Sequence, residues 1–320
     1  MPTWGEVLKE LQQKSKNNHV PFDQVRRQHL TQLFSLTERN VILYATAWTQ
    51  TGKQIASPEV LSITDEDIQG LMEVVHGLKG DSLDLIIHSP GGSIEAAEAF
   101  VTYLRTKFSD IRVIIPQAAM SAATMISCSA NSIMMGKHSS IGPIDPQFVL
   151  QTQLGKQMVP AQAIIDQFDL ATKESQDPKK LGAWMPILGQ YGPALLVQCD
   201  NALKLSQQLV ESWIFQYMFG RKNKSKAKSI SKHLANHKNF KAHRRHIDRV
   251  QAKKIGLKIE DMEKDQKIQD AVLSVFHATT HTMGGTGSAK IIENHLGKAF
   301  VKMQQTVVVP QPPAQNLLSP

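Results

Sequence analysis

Residues 88–98 read His-Ser-Pro-Gly-Gly-Ser-Ile-Glu-Ala-Ala-Glu (HSPGGSIEAAE) and follow an apolar run, Leu83 to Ile87, broken only by Asp84. A short run of this kind reads as a buried strand. Pro90, Gly91 and Gly92 then mark a tight turn, and Ile94, Ala97, Phe100, Val101 and Leu104 fall on one face of a helix that begins at once. A strand that passes directly into a helix is the building unit of a parallel α/β sheet.

The same alternation continues on both sides. Upstream, "NVILYATAW" from Asn40 reads as a strand, and "TDEDIQGLMEVVHGLKG" as a helix with Thr64 as hydroxyl cap, early acids and Gly80 at its end. Downstream, "IRVIIPQ" is a strand, Ser121 to Ala130 a buried helix of small residues, and "SIMMG" another strand. This order predicts right-handed crossovers over a mainly parallel sheet spanning roughly Asn40 to Gln147. Before it, "WGEVLKELQQKSK" reads as an amphipathic helix; after it, "PAQAIIDQFDLATKE", "GPALLVQCDNALKLSQQLVESWIFQYMFG" and "DQKIQDAVLSVFHATTHT" carry helical periodicity. The expected organisation is an N-terminal helical segment (1–39), an α/β core with the site (40–160), a helical region (161–296) containing a basic segment (221–254), and a C-terminal strand and mobile tail (297–320).

With 320 residues, 41% hydrophobic and 20% charged, the chain can bury a sizeable core. Val113 to Gly136 is weakly charged, but its Gln, Ser, Thr and Asn residues argue against a bilayer span. Glu6, Lys9 and Glu10 stand where a signal peptide is apolar, so a cytoplasmic location is expected. Cys128 and Cys199 lack a Cys-x-x-Cys neighbour and read as reduced thiols. The net charge of +8 is concentrated in Arg221 to Lys254. A nucleic-acid surface is one reading of it; a solvated helix or subunit contact is favoured, because Phe240 is the only aromatic there. His233 with His237, and His277 with His281, have i, i+4 spacing, but "HLANH" is not a His-Glu-x-x-His motif, and no metal is expected. Neither a phosphate-binding Gly-x-x-x-x-Gly-Lys loop nor a Gly-x-Gly-x-x-Gly fingerprint occurs, so no cofactor and no ATP dependence are expected.

Glycines at a strand end let backbone N–H groups approach a ligand, and the following helix adds positive potential. A phosphate, an oxyanion or a plain tight turn would each use this arrangement. Ser121 follows the next strand at the same sheet edge, with Ala119, Ala122 and Ala123 leaving room around it. A helix N-cap, or close packing of small residues, would equally place a serine there. The loop "GKHSSIGPIDPQ" is positioned to line the same cleft.

"SPGGSIEAAEAF", "QAAMSAATMISCSANSIMMG" and "SSIGPIDPQ", in this order, resemble the serine dehydrogenase proteinase family. That is a Clp-fold group similar to the Clp protease proteolytic subunit and signal peptide peptidase A; "IGLKI" and "GTGSAKIIENHLGKAFVK" share the likeness. The resemblance implies a Clp/crotonase-like fold and a serine endopeptidase that forms a homo-oligomer and takes a peptide substrate. Ser121 would be its nucleophile, with an oxyanion hole from the N–H groups of Gly91 and Ala122 and with Gly92 beside them. The Clp subunit likeness calls for a histidine in the loop after the following strand, where this chain has Asp145; His138, earlier, fits a strand-end turn. The signal peptide peptidase likeness instead implies a serine–lysine dyad. Lys173 is then the expected base, buried so that its pKa falls, with Lys179, Lys180 or a histidine–aspartate pair as rivals. Ser140 would orient the lysine and Asp145 would order the loop. An acyl-CoA enzyme of the crotonase type, and a non-catalytic binding module using the basic segment, are the alternatives.

Overall fold

The computed structural model describes residues 2–17, 19–50, 58–152 and 155–304. Two N-terminal helices, α1 (Trp4–Lys14) and α2 (Phe22–Thr37), precede strand β1 (Asn40–Thr46). The short α3 (Pro58–Leu61) and α4 (Asp67–Val75) lead to β2 (Ser82–His88), α5 (Ile94–Lys107), β3 (Asp110–Ile115) and β4 (Ala118–Ala119). Then come α6 (Ala122–Cys128), β5 (Ser132–Met135), β6 (Ser140–Ile141) and a hairpin, β7 (Gln147–Thr152) with β8 (Gly155–Pro160). Helices α7 (Ala161–Glu174), α8 (Pro178–Leu188), α9 (Leu195–Trp213), α10 (Lys224–Ala235) and α11 (His237–Phe240) follow. The chain ends through β9 (Ile247–Asp248), α12 (Arg249–Ile255), β10 (Ile259–Asp261), α13 (Gln266–Gly285), β11 (Ser288–Asn294) and β12 (Ala299–Met303).

Seven strands form the central sheet in the order β10-β5-β3-β2-β1-β11-β12. The pairs from β10 to β1 are parallel, and β1–β11 and β11–β12 are antiparallel. Both faces are covered, which is why these strands read as continuous apolar runs. Along β1, Ile42 and Tyr44 join the cluster beneath α4, α5, α6 and α10, while Val41, Leu43 and Ala45 join the cluster beneath α2 and α13.

The sheet reaches further than residues 40–147. β11 and β12 extend one edge and β10 the other, so strands from Ile259 onwards belong to the same sheet. The N-terminal segment is likewise part of this core, with Leu30 and Leu33 of α2 packed among Val41, Leu43 and Val272. The tail 305–320, expected to be mobile, lies outside the described residues.

Charges buried in the sheet are paired, as burial of a charge requires. Asp84, the one interruption of the β2 run, is fully buried; it accepts from Arg39 Nε at 2.8 Å and from Arg112 Nε and Nη2 at 2.9 and 2.7 Å. Asp67 holds a second network, accepting from Tyr44 Oη (2.7 Å), the Thr64 amide (3.1 Å) and the fully buried Lys290 Nζ (2.5 Å). The helix start is therefore capped in the opposite sense to the expectation: the Asp67 side chain takes the Thr64 amide, and the Thr64 hydroxyl is buried without a partner among the described residues. Burial pulls the Lys290 amine below the ordinary lysine range, an effect the Asp67 carboxylate opposes.

Lys290 also donates to the Ser62 carbonyl at 2.7 Å, fixing the segment before α4. Replacing Lys290 by Met leaves Asp67 buried beside Tyr44 without its cation and should cost about 3–5 kcal/mol in urea unfolding. Adding Asp67→Leu should restore part of that loss; additive losses in the double variant would contradict the pairing.

Candidate active site

Three short strands, β4, β6 and β9, make a small second sheet at the carboxyl ends of the parallel strands, where open α/β sheets gather their ligands. β4 is fastened to the end of β2 by the Ser89 amide on the Ala118 carbonyl (3.2 Å) and the Met120 amide on the Ser89 carbonyl (2.9 Å). Ser121 comes directly after, with φ 52° and ψ −120°. A positive φ costs a residue with a side chain about 1–3 kcal/mol, and such outliers gather at functional sites. The Ser121 side chain makes no capping hydrogen bond to α6 and is partly exposed, so the N-cap reading does not hold.

Gly91 meets this serine across the turn. It has φ +102°, and a Cβ on it would lie 2.7 Å from Ser121 Cβ and from the Met120 carbonyl oxygen, and 2.8 Å from the Ala122 nitrogen. Only glycine allows that approach. Gly92 is confined from the other side, since a Cβ there would lie 2.2 Å from the Ile63 carbonyl oxygen. The Ile63 amide donates to the Gly91 carbonyl (2.8 Å) and the Ser93 amide to the Ile63 carbonyl (3.1 Å), so the segment held by Lys290 braces the glycine turn. The Gly91 amide donates to Ser89 Oγ at 3.2 Å. Ala122 is the first residue of α6, so its amide has no carbonyl within the helix to bond.

The far wall is the loop after β6. Thr124 Oγ1 donates to the Ala119 carbonyl (2.7 Å) and accepts from the Gly142 amide (2.9 Å), clamping this loop onto the serine turn. Three residues on, Asp145 is buried, with one oxygen 2.9 Å from His237 Nδ1 and the other 2.9 Å from His243 Nδ1. Neither histidine was among the expected site residues; both lie in the basic segment, which returns to the site through β9 on β6. Ser140, expected to orient a lysine, is bonded to His246 Nδ1 at 2.7 Å.

The lysines fall elsewhere. Lys173, Lys179 and Lys180 are all exposed, and Lys180 pairs with Glu174 at 3.3 Å. Helix α7 buries Ala161, Ile164 and Ala171 and leaves Lys173 on the solvent face, where it borders a groove with Leu170, Glu174, Gln176, Asp177 and Lys180. Lys173 thus stands on an exposed face, without the burial that a lysine base requires. His138 is exposed and its ring stands over Gly136, as the strand-end turn predicts. The i, i+4 pairs do not converge either. His233 packs edge-on against Phe240 while His237 turns to Asp145, and His281 Nε2 bonds the Trp4 carbonyl.

His88, next to the glycine turn, faces away from Ser121 towards α13, between Trp48 and Phe276. Full burial pushes its pKa down to about 3, slightly offset by the Ala118 carbonyl. An unfolded histidine takes up a proton near pH 6.5, which the native ring refuses until about 3. Stability is therefore complete above pH 6.5 and falls as the pH drops towards 3, by up to about 1.4 kcal/mol per pH unit from this group. His88→Leu should flatten the dependence of the urea midpoint on pH in that window. A slope unchanged from the wild type would exclude this origin.

A family model described as a ClpP-like SDH-type serine proteinase matches residues 55–274. Similar relatives include two proteins of Methanocaldococcus jannaschii, uncharacterized protein MJ0137, 29% identical over 62% of this chain, and uncharacterized protein MJ1495, 28% identical over 54%. The alignments span 60% and 51% of the lengths of those two relatives.

Proposed function

Because the chain belongs to the ClpP-like SDH-type serine proteinase family, we propose that it is an ATP-independent endopeptidase in which Ser121 is the nucleophile and His243, held by Asp145, the general base. The observation that carries this reading is the Ser121 turn, a strained backbone whose hydroxyl is unspent on capping and stands beside the first amide of α6.

A serine hydroxyl needs a base to become a nucleophile. Asp145 accepts from the Nδ1–H of His243, which selects the tautomer with Nε2 as acceptor. β9 runs antiparallel along β6, and β6 runs parallel to β4. Residues before Ile247 therefore run towards the same end of this sheet as those that follow Ala119, with β6 between them, which favours His243 over His237 as the partner of Ser121. His237 secures the other Asp145 oxygen and keeps the carboxylate in place.

In the acylation step, Nε2 of His243 takes the Ser121 proton as Oγ attacks the peptide carbonyl, and Asp145 stabilises the imidazolium. The tetrahedral oxyanion accepts from the Ala122 amide and from the Gly91 amide, which exchanges Ser89 Oγ for the substrate oxygen. One donor of this kind contributes about 3 kcal/mol in the transition state. The imidazolium then protonates the leaving amine, and a water deprotonated by the same ring hydrolyses the acyl-enzyme. The peptide lies extended along the glycine turn, bound through main-chain hydrogen bonds, and the active form is a homo-oligomer.

Labelling with a fluorophosphonate followed by peptide mapping should place the adduct on Ser121, and Ser121→Ala should lose both the label and peptide hydrolysis. His243→Ala should lower kcat by about 10²–10⁴-fold, while Lys173→Ala stays near the wild type. Loss of activity in Lys173→Ala with His243→Ala unaffected would replace this base by the serine–lysine dyad.

A further inference from the structure

The loop that carries His243 is bordered by cations with nothing to neutralise them. Residues 221–254 contain thirteen lysines and arginines against one acid, leaving 23 against 27 in the rest of the chain, so the positive charge of this protein is local. Some of these cations are committed. Arg249 and Lys253 pair with Asp261, and Lys238 pairs with Asp166 at 3.2 Å. Lys241, Arg244 and Arg245, which flank His243, are exposed and form no ion pair among the described residues. The nearby carboxylates cannot serve them: Asp145 is enclosed by His237 and His243, and the Asp248 side chain caps α12 through the Gln251 amide.

We propose that the site selects acidic polypeptide segments, with Lys241, Arg244 and Arg245 binding Asp or Glu side chains that flank the scissile bond. The proposal rests on the assignment of His243 to the reacting centre, since it is that assignment which brings these three cations to the substrate. Guanidinium groups hold carboxylates in a planar fork, and a patch of one sign also steers an oppositely charged chain to the site. A single-stranded nucleic acid would satisfy the same charges, but binders of single strands add aromatic faces on which the bases stack. The one aromatic ring of the segment, Phe240, is 7% exposed and packs edge-on against His233.

The test uses the full chain and three internally quenched peptides that differ only in carrying Glu, Gln or Lys on both sides of the cleaved bond. The expected order of kcat/KM is Glu over Gln over Lys, with about tenfold between the first two at low salt and less at high salt. Lys241→Glu/Arg244→Glu should reverse the order of the Glu and Lys peptides. Ser121→Ala, which does not turn over, supplies the binding side by fluorescence anisotropy of the same peptides. Equal hydrolysis of Glu and Gln peptides by the wild type overturns the selectivity and leaves the hydrolase assignment standing. Charge-dependent binding of the Glu peptide with no hydrolysis of any peptide upholds the acidic-chain surface and removes the hydrolase assignment. Binding of single-stranded RNA in place of the Glu peptide overturns the proposal in favour of a phosphate ligand.

Discussion

The contact on which the site depends is between backbones. Gly91 comes so near to Ser121 and Ala122 that no side chain fits between them, and Ser121 meets it with a positive φ. Strain of that kind persists where its surroundings over-determine it. The Met120 amide is tied to Ser89, Thr124 clamps the Ala119 carbonyl to the Gly142 amide, and α6 is built largely of small residues that let it seat in the core. Each restraint takes hold within a few residues of the serine but is anchored on another strand end, so the sheet fixes both the turn and where it stands.

The buried charges divide into two kinds. Asp84 with Arg39 and Arg112, and Glu293 with Arg26 and Arg27, join carboxylates to guanidinium groups that remain protonated at any physiological pH. Such groups hold position and move no proton. Asp67 with Lys290 is sealed in the core and acts through Ser62 on the segment that braces Gly91 and Gly92. Asp145 alone among these carboxylates has imidazoles for partners, and the two rings retain some solvent access. A partner that both binds a proton and releases it is what acid–base chemistry requires.

The parallel strands and the glycine turn were legible because each is a local pattern: apolar runs of strand length, and paired glycines between a strand and a helix. Gly91 announces its role through its own sequence neighbours, and so does Ser121 at the mouth of a small-residue helix. The partners of Asp145 were not legible, because His237 and His243 lie 92 and 98 residues away in a stretch whose most visible property is charge. Lys173 as a base rests on a resemblance alone, whereas helical periodicity places it opposite Ala161, Ile164 and Ala171, away from the interior. The β7–β8 hairpin gives little strand signal because its apolar runs, Phe148 to Leu150 and Met158 to Val159, are short and none of its residues is fully buried. For Thr64, the signal named the right residues and reversed donor and acceptor.

The basic segment illustrates how one stretch can answer two demands. Thirteen like charges within 34 residues repel one another and would hold a free chain extended. Ala227, Ile230, Leu234, Ile247 and Ala252 overcome that repulsion by packing into the same core cluster as α6, so the strap is pinned against the helix that follows the serine. Its apolar positions thereby set where His243 stands, and its cationic positions have only the outer surface left to occupy. Repulsion left over in the folded state is relieved by any anion that lies across the strap. The packing that seats the strap in the core therefore also holds its cations on the outer surface.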